Sequence, residues 1–192
     1  KGWYKFRAAD WGYSSPACVL WFAVDYNNNL WIYRELYTSK VTADVFARKV
    51  LELESGEYIQ YGVLDSSTWA KRGDVGPSIA ETMIQQGCRW RQSDRSPKSR
   101  ISGKLEIHKR LLVNDKEPGL RISKNCRNLI RTLGTLPTDD KNPEDVDTNA
   151  EDHAYDALRY GCMSRPMHPT YAKRFKPMFT PEFKPADNKF GY

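Results

Sequence analysis

The sequence predicts one α/β domain built on a mixed sheet, with strands both parallel and antiparallel to the first. Tyr4–Asp10, Ala17–Asp25 and Leu30–Leu36 are apolar or alternating runs separated by short turn-forming stretches, which reads as an antiparallel meander. A helical segment precedes the next apolar run, Tyr58–Asp65, and a strand reached through a helical crossover lies parallel to the strand it joins. The first and fourth strands share a further property: both end in an aspartate, Asp10 and Asp65.

Each element has its own local warrant. Trp11–Pro16 is turn material, and Tyr26–Asn29 suits a hairpin because Asn tolerates positive φ. Thr42 is a candidate N-cap for a helix carrying Val45, Val50, Leu51 and Leu53, stopped by Ser55-Gly56. Ser66–Gly76 reads as a polar loop. Pro77 opens a helix through Gln86, Gly87 closes it, and Cys88–Gln92 forms a short strand. Ser96–Val113 is a basic amphipathic helix, with Ile101, Leu105, Leu111 and Leu112 as its apolar side and Lys98, Arg100, Lys104, Lys109 and Arg110 as its basic one. Pro118-Gly119 turns into a short strand, Leu120–Ile122, and a helix follows over Asn125–Leu133. A polar loop, Thr135–Thr148, leads to a last helix over Asn149–Met163. Beyond Arg165 the five prolines 166, 169, 177, 181 and 185 exclude long regular elements, so residues 1–164 form the domain and 165–192 a Pro- and aromatic-rich tail.

Composition narrows the function classes. The 192 residues, 40% of them apolar, suffice for a proper core, and no run is long enough to span a membrane. Cys18, Cys88, Cys126 and Cys162 include no CxxC pair, which argues against a zinc ribbon and for small buried hydrophobes in a reducing compartment. The net charge of +6 is unevenly spread: Arg89–Arg131 is basic and Asp139–Asp156 acidic. A phosphate-bearing partner beside a cation site would explain that juxtaposition; an ordinary solvated basic surface would as well.

The last helix carries the chemistry. In Glu151-Asp152-His153-Ala154-Tyr155-Asp156, His153 and Asp156 share a face at i,i+3, and Asp152 and Asp156 are neighbours at i,i+4. Like charges so placed are unfavourable unless a cation compensates them. Ligands of α/β sheets gather at the carboxyl ends of strands, where Asp10 and Asp65 fall. Hard divalent ions take oxygen ligands, and a histidine among them suits Mn²⁺ as well as Mg²⁺. Two such ions about 4 Å apart stabilise both attacking and leaving oxygens of a phosphodiester. Singly, each residue has a plainer reading: Asp10 capping the turn before Gly12, Asp65 capping with Ser66-Ser67, Asp156 on a solvated helix face. Asp25 and Glu35 read as structural, and His108 and His168 have no partner in the sequence.

This order of features resembles the nuclease domain of the large terminase subunit of tailed bacteriophages: a first strand ending Asp10-Trp11-Gly12, a hairpin meander, a strand ending Val63-Leu64-Asp65, and a helix with Asp152-His153-x-x-Asp156-Ala157-Leu158-Arg159-Tyr160. The resemblance covers about Tyr4 to Cys162. It implies a ribonuclease-H-like fold with a central five-stranded sheet in the order 3-2-1-4-5 and helices on both faces. It also implies a two-metal DNA endonuclease cutting concatemeric double-stranded DNA in genome packaging. Asp10, Asp65, His153 and Asp156 would then hold Mg²⁺ or Mn²⁺, with Asp152 as the secondary candidate. Implied partners are DNA, an ATPase motor domain, a small terminase subunit and a portal, in the host cytoplasm. The chain contains no GxxxxGK[ST] and does not begin with Met, so the motor is expected upstream. Two other readings stay open: a resolvase- or transposase-like nuclease, and a catalytically silent DNA-binding or motor-docking module. Lys98, Arg100, Lys104, Lys109 and Arg110 are the candidate DNA contacts, with Lys71-Arg72 and Arg95 in nearby loops.

Overall fold

In the computed structural model, which describes residues 2–71, 76–114 and 117–167, the meander forms the middle of the sheet. Strand β1 (Tyr4–Asp10) pairs antiparallel with β2 (Ala17–Val24), Tyr4 opposite Val24 and Asp10 opposite Cys18. Strand β3 (Leu30–Thr38) continues it antiparallel, with a register shift at Trp21/Phe22. The turn between β2 and β3 closes as the asparagines predict: Asn28 has φ of 63°, and Asp25 Oδ1 accepts from the Asn27 and Asn29 amides at 2.9 Å. All eight residues of β2 are buried, because helices cover both of its faces.

Helix α1 (Ala43–Leu53) crosses over to β4 (Gly62–Leu64), which runs parallel to β1 with Ala8 beside Val63. Helix α2 (Ile79–Gln85) leads to β5 (Arg91–Gln92), parallel to β4. After α3 (Ser99–Leu111) and a small ribbon, β6 (Val113–Asn114) with β7 (Glu117–Pro118), strand β8 (Leu120–Ile122) adds parallel to the free edge of β3. Helices α4 (Arg127–Leu133) and α5 (His153–Ser164) complete the fold. The sheet order is β5-β4-β1-β2-β3-β8. The expected 3-2-1-4-5 is present, and Leu120–Ile122 extends it to six strands among the described residues.

Two cores lie on opposite faces. Phe6, Ala8, Cys18, Leu20 and Phe22 pack under α3, α4 and α5; Ala9, Val19, Trp21 and Leu64 pack under α1 and α2. Helix α5 reaches the sheet closely at Gly161, where a Cβ would stand 2.3 Å from the Phe22 ring. The four cysteines are free and buried, as their apolar contexts suggest.

Several local expectations are corrected. The ladder of β4 begins at Gly62, not Tyr58, which is 78% exposed. Helix α2 is started by Ser78, not Pro77: Ser78 and Glu81 form a reciprocal capping box. The segment after Asp65 is a 3-10 turn, Ser66–Trp69. Helix α5 begins at His153 with Asp152 as its N-cap residue, four residues later than read. The largest correction concerns α3. Its apolar side is not its buried side: Leu105 is 55% exposed, whereas Gly103, Glu106, Ile107 and Arg110 are buried. Close packing on α5 selects that face, since a Cβ at Gly103 would lie 2.3 Å from the Arg159 side chain. Of the tail, Arg165–Met167 run against α3 and Asn28: the Arg165 carbonyl accepts from Arg110, and the Met167 amide donates to Glu106. His168, Arg72 and the remainder of the tail lie outside the described residues.

Candidate active site

Strand periodicity aims the two aspartates. Asp10 follows Ala8 by two residues and Asp65 follows Val63 by two, so both point to the face covered by α5. The Asp65 amide donates to the Ala9 carbonyl at 3.1 Å, which fixes the two strand ends side by side. Asp65 Oδ1 also accepts from the Ser67 amide at 3.2 Å, and the Ser67 hydroxyl bonds Oδ2. The capping role read for Asp65 and its place in the acid cluster are therefore both realised.

Helix α5 supplies the rest. His153 Nδ1 lies 3.0 Å from Asp10 Oδ2. The Tyr160 hydroxyl stands 3.3 Å from Asp65 Oδ1 and 3.5 Å from Asp156 Oδ2. Arg159 Nε donates to Asp156 Oδ1 at 3.0 Å. Arg100, from α3, donates through Nη1 to Asp156 Oδ2 at 3.2 Å and through Nε to Asp145 Oδ2 at 2.8 Å, and its Nη2 lies 3.6 Å from Asp152 Oδ2. Asp10, Asp65, His153, Asp156 and Asp152 thus meet at one end of β1 and β4.

Mutual proximity and burial shift these groups. Burial raises Asp10, and the charges of Asp156 and Asp65 add to it, against the hydrogen bond from His153. Burial, then the Asp156 charge, pushes Asp152 up to about 6. The Asp10 hydrogen bond raises His153 against the effect of its burial. Tyr160 is held well above its ordinary range by burial and then by Asp156 and Asp10, so its hydroxyl keeps its proton and donates. These are the signatures of crowded anions, and Arg100 and Arg159 supply the positive charge here.

The donor set fits a hard divalent cation: carboxylate oxygens with one imidazole nitrogen, crowded enough that the acids gain from added positive charge. The fit is chemical rather than preassembled. Among the described residues no three His, Cys, Asp or Glu side chains form a ready metal cage, and both oxygens of Asp156 already accept from guanidinium groups.

The candidate DNA contacts divide. Lys98 and Lys109 are exposed, and so is Arg95. An open cleft of about 290 Å³ beside Asp65 is lined by Ser93, Arg95, Arg100 and Tyr160. Lys104 is turned to the acidic loop, donating to the carbonyls of Pro143 and Asp145. Arg110 is a correction: it is fully buried, ion-paired to Glu106 at 3.0 Å and donating to the Asn28 carbonyl, so it presents nothing to a ligand. Asp25 and Glu35 are structural as read; Glu35 accepts from the Asn128 and Leu129 amides and seats the start of α4. Arg159 and Tyr160 close the helix motif that carries the resemblance, but they and Asp145 are absent from the expected site. The first two stand at i+3 and i+4 from Asp156, a spacing that marks them as its neighbours; nothing comparable marks Asp145.

No protein-family model matches the chain, and no curated protein sequence does. Solved structures do. The fold is ribonuclease-H-like. More narrowly, it is the fold of the nuclease domain of phage large terminases. The nuclease domain of the P22 large terminase superposes with a TM-score of 0.63 at 16% identity, over 85% of this chain and 82% of that one. The large terminase nuclease of the thermophilic phage G20c gives 0.60 at 14%, over 86% and 83%, and it has also been solved with bound cobalt and with bound zinc. The large terminase of a second thermophilic bacteriophage gives 0.66 at 13% over 83% of this chain, which spans 39% of that longer protein.

Proposed function

We propose that the chain is the nuclease domain of a bacteriophage large terminase: a divalent-metal-dependent endonuclease that cuts concatemeric double-stranded DNA during genome packaging. One observation carries the reading. In a fold shared with the P22 and G20c nuclease domains, the structure joins Asp10 to His153 across 143 residues, with Asp65 and Asp156 linked through Tyr160 beside them. A structural cap or surface acid has no reason to meet three others at the carboxyl end of two parallel strands.

Asp10, Asp65 and Asp156 would hold the metal, Mg²⁺ or Mn²⁺, with His153 completing the set and Asp152 as the alternate. When bound, a pair of such ions would supply Lewis-acid activation of water and charge stabilisation at the leaving oxygen. The chain's own part is positioning. His153 orients Asp10, Tyr160 holds Asp65 toward Asp156, and the turn at Ser67 fixes the second oxygen of Asp65. Exposed Arg95, Lys98 and Lys109 would contact phosphates, giving sequence-tolerant, salt-sensitive binding. An ATPase motor domain, a small terminase subunit and a portal are the partners this reading brings with it, acting in the host cytoplasm; no described helix is long and apolar enough to cross a membrane.

The test is cleavage of supercoiled plasmid in Mg²⁺ or Mn²⁺, blocked by EDTA and abolished in Asp65→Ala with the fold intact. Full activity of Asp65→Ala would refute the assignment. A second reading, a silent DNA-binding or docking module, is favoured by the guanidinium groups that occupy Asp156. It predicts DNA binding with no cleavage in either metal. Preference for branched over linear duplex in the same assay would point instead to a resolvase-like nuclease.

A further inference from the structure

The two arginines at Asp156 are not equivalent. Arg159 is built in: it is 4% exposed, its stem fills the space left by Gly103, and its guanidinium lies 4.5 Å from the Tyr160 ring centre. Arg100 is held more loosely. Its side chain is 29% exposed at the mouth of the site, and its buried Nη2 has no hydrogen-bond partner among the described residues, standing 3.6 Å from Asp152. Its shortest contact is the Nε donation to Asp145 at 2.8 Å, while the two contacts of Nη1 to Asp156 are 3.2 and 3.4 Å. Asp145 itself sits on an anchored loop, because its neighbour Val146 is buried in the core and Lys104 grips the carbonyls of Pro143 and Asp145. Arg100 can therefore swing its terminal nitrogens away from Asp156 while Nε keeps its pivot.

We propose that Arg100 is a resident counterion of the acid cluster, holding Asp156 and Asp152 together in the metal-free protein and competing directly with a divalent metal for Asp156. The proposal rests on the nuclease reading above and adds a regulatory element to it. Oδ2 of Asp156 accepts from both Arg100 and the Tyr160 hydroxyl, which takes up both of its lone pairs, so metal engagement there requires Arg100 to withdraw. A dipositive ion compensates the acids better than a monopositive side chain, which makes the exchange favourable once metal is present. Arg100 then sets a threshold concentration of metal below which the site stays closed. It is a positioning residue in this account and touches no reacting atom.

The experiment is calorimetric titration of Mn²⁺ into the metal-free chain, with thermal unfolding in EDTA and in Mn²⁺. Arg100→Gln should bind Mn²⁺ about tenfold more tightly, the equivalent of one charge-assisted hydrogen bond removed from competition. It should melt lower than the unmodified chain in EDTA and gain more from Mn²⁺. Arg100→Lys, which restores a cation without the forked geometry, should fall between. Unchanged or weaker Mn²⁺ affinity in Arg100→Gln would overturn the proposal. Should Arg100→Gln fail to fold in EDTA, Arg100→Lys carries the test, and it must bind Mn²⁺ more tightly than the unmodified chain. Failure of the nuclease reading looks different: no Mn²⁺ binding in any of these chains. Equal binding in Arg100→Gln and the unmodified chain, lost in Asp65→Ala, would remove the counterion role and leave the nuclease reading standing.

Discussion

His153 Nδ1 stands 3.0 Å from Asp10 Oδ2, a polar contact between the first strand of the sheet and the last helix. Because Asp10 is crowded by Asp65 and Asp156, an Nδ1–H that donates to it orients the carboxylate and offsets part of its charge. His153→Ala should leave the fold in place and lower plasmid cleavage by roughly 10–100-fold, the usual loss when a partner that orients a metal ligand is removed. Asp10→Ala should abolish it. Initial rates of nicking at saturating Mn²⁺ measure both, and an unchanged rate in His153→Ala would remove that residue from the site.

Tyr160 tests the other half of the cluster. Tyr160→Phe removes the hydroxyl that faces Asp65 and Asp156 while keeping the ring beside Arg159. The expected loss is about 1 kcal/mol of positioning, near fivefold in rate, with a melting temperature close to the parent's. A rate unchanged within error would show that the hydroxyl only fills space.

Stability depends on a charge pair far from the site. Arg7 Nη1 donates to both oxygens of Glu54, at 2.8 and 2.6 Å, and Trp21 Nε1 donates to Oε1 at 2.7 Å. Arg7 is 4% exposed and Trp21 fully buried. Glu54→Ala leaves a guanidinium buried without its anion, which costs about 3–5 kcal/mol. Urea denaturation should show a midpoint lowered accordingly; a shift under about 1 kcal/mol would mean that water reaches the guanidinium once its partner is gone.

Acid sensitivity has an identifiable contributor. Burial works to raise the Glu57 carboxyl, but hydrogen bonds from Lys5, Tyr33 and Arg34 outweigh it and hold the group at about 2 instead of its ordinary 4.5. The folded state therefore binds this proton less readily than the unfolded chain. Its stabilisation is complete above about pH 4.5 and is lost as pH falls through about 2. Glu57→Gln should flatten the decline of unfolding free energy between those pH values, measured by denaturant titration at each pH. An unchanged slope would assign the acid sensitivity to other carboxylates.

Much of the site was legible because strands and helices have periods. Apolar runs ending at Asp10 and Asp65 marked two strand ends, and the i,i+3 spacing of His153 and Asp156 marked one helix face. The strand order 3-2-1-4-5 came with the family resemblance, not from any run of residues. What was hidden was chosen by tertiary fit. Leu105, Leu111 and Leu112 outnumber the apolar residues on the other side of α3, yet Gly103 decides the face by letting Arg159 approach. Arg110 reads as a surface cation until Glu106, four residues earlier, is seen to neutralise it in the interior. Asp145 lies in a loop with no repeat to place it, so its grip on Arg100 has no signature in sequence.

The distribution of the site along the chain has a consequence for its timing. Asp10 and Asp65 can settle into their strands as soon as those strands pair, but His153 and Asp156 ride on α5, which leaves the ribosome last of the described elements. Synthesis proceeds at about 5–20 residues per second, so α5 follows the last described strand by roughly 2–6 seconds. Closing the cluster joins positions 143 residues apart and comes late in folding, at a high loop-closure cost. On the nuclease reading proposed above, a chain interrupted before α5 would carry half a cluster and leave DNA uncut.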